Sequence, residues 1–308
     1  MSIEPAMPAP FEPAPPSAPT GWKSIFLRGD GLRAGWRLTI FAMMFLPLVF
    51  LAFLGARLLG APLPKSTIVL TPWSIFTQEI ASLAATFAAA YAMSRIENRR
   101  LASYGLPLRS AFGRNFWRGA LWGLLMITGA ILAIAVAGGF SFGEIELHGG
   151  LLVRQALTWA VTFCAVGLWE ESFFRGYALA TLADGIGFWP AASVLSAIFG
   201  AIHLNNGGEG WIGVPQIFLI SMLFCLTLRR TGTLWFAVGM HAAWDFGETF
   251  IFSAPDSGTY APGTLLHSAF HGPLWLTGGA VGPEASVMGD LAVLLALLLF
   301  AKLYPARS

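Results

Sequence analysis

The chain has little charge and almost no cysteine. Only 11% of its 308 residues are charged and 56% are hydrophobic, whereas about a quarter of the residues of a soluble domain are charged. Its two cysteines, Cys164 and Cys225, lie in apolar runs without a second Cys or a His at metal-ligand spacing. These shortages argue against a soluble domain, a disulfide framework and a structural zinc site, and they favour a polytopic membrane protein.

Basic residues are also scarce. The net charge is +2, and the Lys and Arg residues fall mainly between the apolar runs, which argues against a nucleic-acid partner. The N-terminal segment is rich in Pro and Ala and lacks a basic stretch followed by an apolar core, so it does not resemble a signal peptide. We expect residues 1–21 to be a disordered tail and residues 22–308 to form a single integral-membrane domain.

Eight apolar stretches are long enough to cross a bilayer, which takes about 20 residues of helix. They cover residues 36–56, 67–94, 117–138, 154–182, 187–206, 213–229, 232–250 and 287–304. The sequence therefore predicts an all-α bundle of about eight transmembrane helices.

The distribution of Lys and Arg predicts the orientation of this bundle. With a cytoplasmic N-terminus, 14 of the 18 Lys and Arg residues fall on the cytoplasmic side and three on the other, while Arg175 lies inside a span. This imbalance follows the positive-inside rule. We expect both termini in the cytoplasm and, since the compact chain shows no sorting signal, a bacterial inner membrane as its location.

Ionisable residues inside the spans are the main signal of function, because charge at membrane depth is costly unless it is paired or hydrated. The fourth, fifth and seventh spans contain them, at Glu170, Glu171, Arg175, His203, His241, Asp245 and Glu248. At 1.5 Å of rise per residue, Glu170, both histidines and Asp245 lie near the middle of the hydrocarbon core. One cavity near the bilayer midplane can hold them, provided that the fourth helix continues past Arg175.

The spacing within the fourth span separates its two glutamates. Glu171 and Arg175 are four residues apart and lie on one helix face, where they form an ion pair. Glu170 points about 100° away from Glu171 and is available to the cavity. With His203 and His241 it offers a carboxylate and two imidazoles that can bind and activate water.

Other polar residues carry weaker signals. Glu79 is an isolated carboxylate in the second span, where it either pairs with another helix or lines the cavity. Glu248 and Asp290 lie close to span ends, and an interfacial position is expected for them. Asn205 follows the fifth span and is within reach of the site. The segment 251–287, which has neither Lys nor Arg, is interpreted as an ordinary connection.

Three motifs occur in order in separate spans. They are Glu-Glu-x-x-x-Arg at 170–175, Phe-x-x-x-His at 199–203 and His-x-x-x-Asp at 241–245. Together they resemble those of the CPBP intramembrane proteases, the family that includes the type II CAAX prenyl endopeptidases and bacteriocin-immunity proteins. The resemblance covers about residues 150–250, and the first three spans and the C-terminal tail match nothing specific.

The resemblance implies a role for each matching residue. Glu170 is the general base that polarises the attacking water, and His203 helps to hold that water. His241 and Asp245 face the developing oxyanion or complete the site. Supporting roles fall to the remaining motif positions, Glu171, Arg175 and Phe199, and Asn205, which lies outside the motifs, is counted with them because it is within reach of the site.

Position 245 is where the match requires most care, because the family accepts Asn or Asp there and this chain has Asp. An ionised Asp repels an oxyanion instead of donating to it, so Asp245 has three open roles: a protonated donor, a partner that orients His241, or a metal ligand. Glu170, His203, His241 and Asp245 together suit zinc or another divalent metal, although no His-Glu-x-x-His spacing is present. Metal-free and metal-assisted hydrolysis both stay open, and no cofactor is assigned.

These observations predict an intramembrane endopeptidase that hydrolyses a peptide bond with water activated by glutamate and histidine. Its expected partners are a peptide or protein substrate, including one embedded in the membrane, and the lipid bilayer. A proton-coupled transporter or channel is the first alternative, although the sequence has no matching halves of the kind many transporters show. The second is a membrane protein that binds a peptide in the cavity without cleaving it.

Overall fold

The chain folds into a helical bundle in the computed structural model, which describes residues 21–28, 31–64, 69, 71–204 and 213–306. The described residues contain eight long helices: α1 (Ala34–Leu58), α2 (Pro72–Ile96), α3 (Arg114–Val136), α4 (Gly149–Ile186), α5 (Phe188–His203), α6 (Gly213–Thr231), α7 (Trp235–Asp245, continued by a π-helical segment, Phe246–Ile251) and α8 (Val287–Leu303). Each coincides with one predicted span, so the all-α architecture is confirmed. The predicted disordered tail lies outside the described residues, apart from Gly21.

The apolar character of these helices identifies an integral membrane protein. By length and composition, α1, α3, α4 and α6 are able to cross a membrane, and α5 is a shorter apolar helix. Large apolar side chains remain exposed along the outer faces, among them Met43, Leu46 and Phe50 on α1. Such a surface is unfavourable in water but matches the hydrocarbon of a bilayer.

Short elements connect the long helices. Single helical turns lie at Lys23–Phe26, Leu101–Tyr104, Leu108–Ser110, Leu274–Thr277 and Pro283–Ala285. Strand β1 (Leu27–Arg28) pairs antiparallel with β2 (Gly31–Leu32), and β3 (Phe140–Ser141) pairs antiparallel with β4 (Ala269–Phe270). The second pair attaches the α7–α8 connection to the α3–α4 connection, so both lie on the same side of the bundle.

Helix α4 continues past Arg175, as a central site requires. It consists of α-helix Gly149–Glu171, a π-helical segment Ser172–Ala178 and α-helix Leu179–Ile186. Within the π-helical segment Gly176 departs from helical backbone angles, with φ −80° and ψ −109°, and the helix bends there. Because the helix does not end at Glu171, both of its glutamates lie inside the bundle instead of at its surface.

Helices α3 and α7 pack backbone against backbone. A Cβ atom built at any of three glycines would lie 2.0 Å from a carbonyl oxygen of the facing helix, and these are Gly119, Gly123 and Gly239. Lipid is as apolar as a leucine side chain, so helices in a membrane gain stability from this close contact between small residues. The contact determines the position of α7, which carries His241.

A charged network joins α1, the end of α2 and the end of α4. Arg37 donates to both carboxylate oxygens of Glu97 and, at 2.9 Å, to Asp184. Arg99 pairs with Asp184 at 2.6 Å, and the Tyr177 hydroxyl donates to Glu97. Because one guanidinium binds carboxylates on two different elements, the network fixes the C-terminal end of α4 relative to α1.

The glycine contact gives a prediction for stability. Gly123→Ala places a methyl group against a backbone carbonyl of α7, and this carbonyl cannot move without shifting the helix. We therefore expect the free energy of unfolding to fall by about 1–3 kcal/mol. The matched control is Gly129→Ala on the same helix, where a Cβ has no atom within 4 Å. Thermal unfolding in detergent should show a lower Tm for Gly123→Ala and an unchanged or raised Tm for Gly129→Ala. Equal Tm values would contradict the contact.

Candidate active site

The residues that the three motifs contain surround one cavity of about 380 Å³. Its walls come from α2, α4, α5, α6, α7 and the α7–α8 connection. The motif residues that line it are Glu170, Phe199, His203, His241 and Asp245. Side chains from three separate parts of the sequence therefore meet at a single place inside the bundle.

Glu171 lies behind this cavity as a fully buried carboxylate. Its Oε1 accepts a hydrogen bond from Arg175 at 3.0 Å and another from His241 Nδ1 at 3.1 Å. Because an ionised carboxylate only accepts, the proton of this second bond belongs to Nδ1 of the imidazole. Glu171 thus pairs with Arg175, as its spacing indicates, and also holds His241 in a defined orientation.

Arg175 is surrounded by aromatic rings and hydroxyl groups. Its guanidinium carbon lies 4.4 Å from the ring centre of Phe199 and 5.4 Å from that of Phe224, distances at which a cation is attracted to a ring face. It also donates to Ser221, whose hydroxyl donates to Ser196. The charge of Arg175 is therefore satisfied by α4, α5 and α6 together.

His241 presents its second nitrogen to the cavity. Nε2 lies 3.7 Å from a carboxylate oxygen of Glu170 and 3.7 Å from one of Asp245, both too long for a direct hydrogen bond. The imidazole ring stacks on Phe224, with ring centres 5.2 Å apart and planes 22° apart. Held by Glu171 on one side and Phe224 on its face, the ring has little freedom to turn.

His203 shows the same arrangement on α5. Its Nδ1 lies 2.8 Å from the backbone carbonyl oxygen of Phe199, and since a carbonyl only accepts, Nδ1 carries the proton. The ring also packs against that of Phe199, with 4.4 Å between centres. Both histidines therefore donate from Nδ1 to a protein oxygen, which leaves Nε2 of each for a molecule in the cavity.

The two adjacent glutamates occupy different environments. The side chain of Glu170 is 17% exposed and lines the cavity. The side chain of Glu171 is fully buried and accepts hydrogen bonds from Arg175 and His241. Asp245 is 5% exposed and faces Nε2 of His241. Since Glu171 already holds Nδ1 of that imidazole, Asp245 is not needed to orient it, and two of its three open roles remain.

Glu79 also lines this cavity and is 4% exposed. One of its oxygens accepts from the side chain of Gln78 at 3.1 Å, and the other has no hydrogen-bond partner among the described residues. Asn205 lies outside the described residues. Glu79 is thus a fifth carboxylate of the cavity, alongside Glu170, Asp245 and the two of the α7–α8 connection.

The sequence analysis missed an acidic cluster beside the site. Glu248, expected at the interface, is in fact fully buried, and a carboxylate oxygen of each of Glu248, Asp256 and Glu284 lies within 4.8 Å of the others. Asp256 and Glu284 line the cavity, so the segment 251–287 is more than a connection. Burial and the carboxylate of Glu284 raise the pKa of Asp256 to about 7. The signal that could have found the cluster is a stretch with two acids and no basic residue.

A group of possible metal ligands lies beside the set predicted at the site. Among the described residues, the group of His, Cys, Asp and Glu ligands gathered within 4.8 Å is this acidic cluster, not the four predicted ligands. Within the predicted four, His241 lies at 3.7 Å from Glu170 and from Asp245. The imidazole of His241 thus lies at the same distance from two of the other three predicted ligands.

Residues 152–247 match the family model described as type II CAAX prenyl endopeptidase, Rce1-like. This range contains all three motifs and confirms the family resemblance predicted from them, over less than half of the chain. The chain matches no curated protein. At the level of the family, the match supports a CAAX-type intramembrane protease, that is, a peptide hydrolase embedded in a membrane.

The buried ion pair can be tested by a double-mutant cycle. Arg175→Met leaves the buried carboxylate of Glu171 without its cation, and we expect the free energy of unfolding to fall by about 3–5 kcal/mol. Adding Glu171→Gln removes the unpaired charge, so the double variant should be more stable than Arg175→Met alone. Thermal unfolding in detergent measures both, with exposed Arg154→Met on the same helix as the matched control. Additive effects of the two substitutions would contradict direct coupling.

Proposed function

We propose that the protein is an intramembrane endopeptidase in which Glu170 activates the attacking water. The observation that carries the proposal is the geometry around the cavity. Glu170 and two imidazoles, His203 and His241, line one cavity inside the bundle, and each imidazole donates its Nδ1–H to a protein oxygen. This leaves one carboxylate and two Nε2 atoms that can accept hydrogen bonds from a water molecule and activate it, as amide hydrolysis requires.

The proposed reaction begins with a water molecule between Glu170 and Nε2 of His203. Glu170 takes a proton from this water as its oxygen attacks the carbonyl carbon of the peptide, which gives a tetrahedral intermediate with a negative oxygen. Glu170 then gives the proton to the nitrogen of the leaving amine, and the carbon–nitrogen bond breaks. The carboxylate is restored and both products are complete, so Glu170 acts in turn as general base and general acid.

The oxyanion is assigned to the other side of the cavity, beside His241 and Asp245. A group that stabilises it must donate a hydrogen bond. We propose that neutral Asp245 is this donor, with its carboxyl proton turned towards the oxyanion, because its Oδ2 lies 3.7 Å from Nε2 of His241 and forms no hydrogen bond with it. Glu171 contributes indirectly, because it fixes the tautomer and orientation of His241 through Nδ1.

The substrate in this proposal is a peptide segment that reaches the cavity from the lipid or from the cytoplasmic face. We expect the enzyme in a bacterial inner membrane with both termini in the cytoplasm, and the distribution of Lys and Arg supports this orientation. The substrate does not need to carry a prenyl group. The chemistry requires only a peptide bond that can enter an apolar bundle.

Substitution of the proposed base is the central test. Glu170→Gln keeps the size of the side chain but cannot take a proton, so we expect cleavage to fall by about 10²–10⁴-fold with an unchanged Tm. N-terminal fragments in membranes from wild-type and variant cells are compared by proteomics. A peptide that spans the site of a lost fragment then gives the rate with purified protein.

The matched control is Glu144→Gln, which changes an exposed carboxylate in the α3–α4 connection and should leave cleavage unchanged. Normal cleavage by Glu170→Gln would show that another group is the base. If membranes from cells with Glu170→Gln lose no fragment but lose uptake of a solute, the chain is a transporter instead. A cellular phenotype that survives Glu170→Ala would favour a protein that binds peptides without cleaving them.

A second prediction concerns the donor at position 245. Asp245→Asn replaces a neutral carboxyl by an amide that also donates, so cleavage should stay within about tenfold of wild type, whereas Asp245→Ala should lose about 10²-fold or more. The rates are measured on the same peptide. A loss in Asp245→Asn as large as in Asp245→Ala would contradict a donor role, and it would favour Asp245 as a metal ligand, because an amide is a much weaker ligand than a carboxylate.

A further inference from the structure

The acidic cluster beside the cavity brings together three segments of the chain. Glu248 belongs to the π-helical end of α7, Asp256 follows in the α7–α8 connection, and Glu284 lies in the turn Pro283–Ala285 before α8. One carboxylate oxygen from each lies within 4.8 Å of the other two. Three carboxylates at this separation repel one another strongly when ionised, since water screens them little inside a protein.

Glu248 is the member that the protein leaves unsatisfied. Its side chain is fully buried, and neither carboxylate oxygen has a hydrogen-bond partner among the described residues. The indole N–H of Trp244 approaches this carboxylate, but outside the geometry of a well-formed hydrogen bond. A buried carboxylate without donors costs several kcal/mol unless a cation or a proton neutralises it.

The other two carboxylates are held in place by hydrogen bonds. Asp256 Oδ2 accepts from the Thr249 hydroxyl at 2.9 Å. Glu284 Oε2 accepts from the backbone N–H of Ser257 at 3.1 Å and from its hydroxyl at 2.7 Å. These bonds use one oxygen of each carboxylate and orient the side chain, as partners of metal-binding carboxylates commonly do.

The backbone of Gly282 lies close to the cluster, at a position where only glycine fits. Gly282 has φ +98°, a conformation that other residues rarely adopt, and a Cβ atom there would lie 3.2 Å from Glu248 Oε1 and 2.1 Å from the carbonyl oxygen of Pro255. Any larger residue would therefore press against the cluster. The carbonyl oxygen of Pro255 and Oε1 of Glu248 thus both lie beside Gly282.

Charge compensation by basic side chains is missing. None of the three carboxylates forms an ion pair with a Lys or Arg in the described part of the chain. The whole segment 251–287 has neither residue type. The negative charge of the cluster has to be neutralised by something that is not a side chain.

We propose that Glu248, Asp256 and Glu284 bind a divalent metal ion, with calcium as the best match. The ligands are all oxygen atoms, which favours calcium, magnesium or manganese over zinc. Calcium accepts six to eight oxygens at about 2.3–2.6 Å in flexible geometry, and opposite ligands around it are separated by about twice that distance. Three oxygens that lie within 4.8 Å of one another are close enough to belong to one such shell.

The ion would connect the end of α7 to the chain that covers the active-site cavity. Asp256 and Glu284 line the same cavity as Glu170 and His241. Binding would therefore fix the α7–α8 connection over the cavity and stabilise the fold. This role is structural and does not depend on the proposed peptidase reaction.

Metal content and thermal stability test the site without any activity measurement. Protein purified in detergent is treated with a chelator, passed into metal-free buffer and titrated with calcium, magnesium or manganese. We expect about one calcium ion per chain by elemental analysis and a Tm that rises by about 5 °C or more at saturating calcium. Glu284→Gln should lose both the ion and the shift, and exposed Glu144→Gln should keep them.

A second variant covers the case in which Glu284→Gln folds poorly. In chelator, Glu248→Gln removes the buried charge, so its Tm should equal or exceed that of wild type, while added calcium should no longer raise it. A wild-type protein that retains no ion, and whose Tm does not respond to any of the three metals, would overturn the proposal and show that the carboxyl groups share protons. A normal calcium response in Glu284→Gln would overturn it as well, since the ion would then bind elsewhere.

Discussion

The buried carboxylate of Glu171 is the constraint on which the site depends. It has no exposed surface, and one of its oxygens accepts from both Arg175 and His241. Arg175 in turn reaches Ser221 on α6 and lies over the ring of Phe199 on α5. One charge inside the bundle thereby connects four of the five helices that line the site, α4, α5, α6 and α7, because a buried charge left unpaired is strongly destabilising.

Irregular helical geometry lets these connections coexist. The π-helical segment Ser172–Ala178 begins directly after Glu171, and a second one, Phe246–Ile251, begins directly after Asp245. Extra residues in a helical turn rotate the following side chains, and such segments are common at functional sites. In this protein they direct Arg175 towards α5 and α6, and Glu248 towards the acidic cluster, while glycines hold α3 and α7 at close contact.

Two sides of the cavity carry opposite chemical character. On the helical side, each imidazole and the Glu171 carboxylate have a defined hydrogen-bond partner. On the side of the α7–α8 connection, carboxylates gather without a basic partner among the described residues. The two sides therefore differ in how their buried charge is balanced.

The sequence by itself determined the helical bundle, the continuation of α4 past Arg175 and the spans that carry the three motifs. Apolar length, the positions of Lys and Arg, and four-residue spacing are local or additive properties, and they can be counted along the chain. Tertiary structure decided that Glu171, not Asp245, orients His241, because that choice depends on a distance between two helices. It also decided that Asp256 and Glu284 join Glu248, since their separation in the sequence conceals a contact made only when the α7–α8 connection folds back over the cavity.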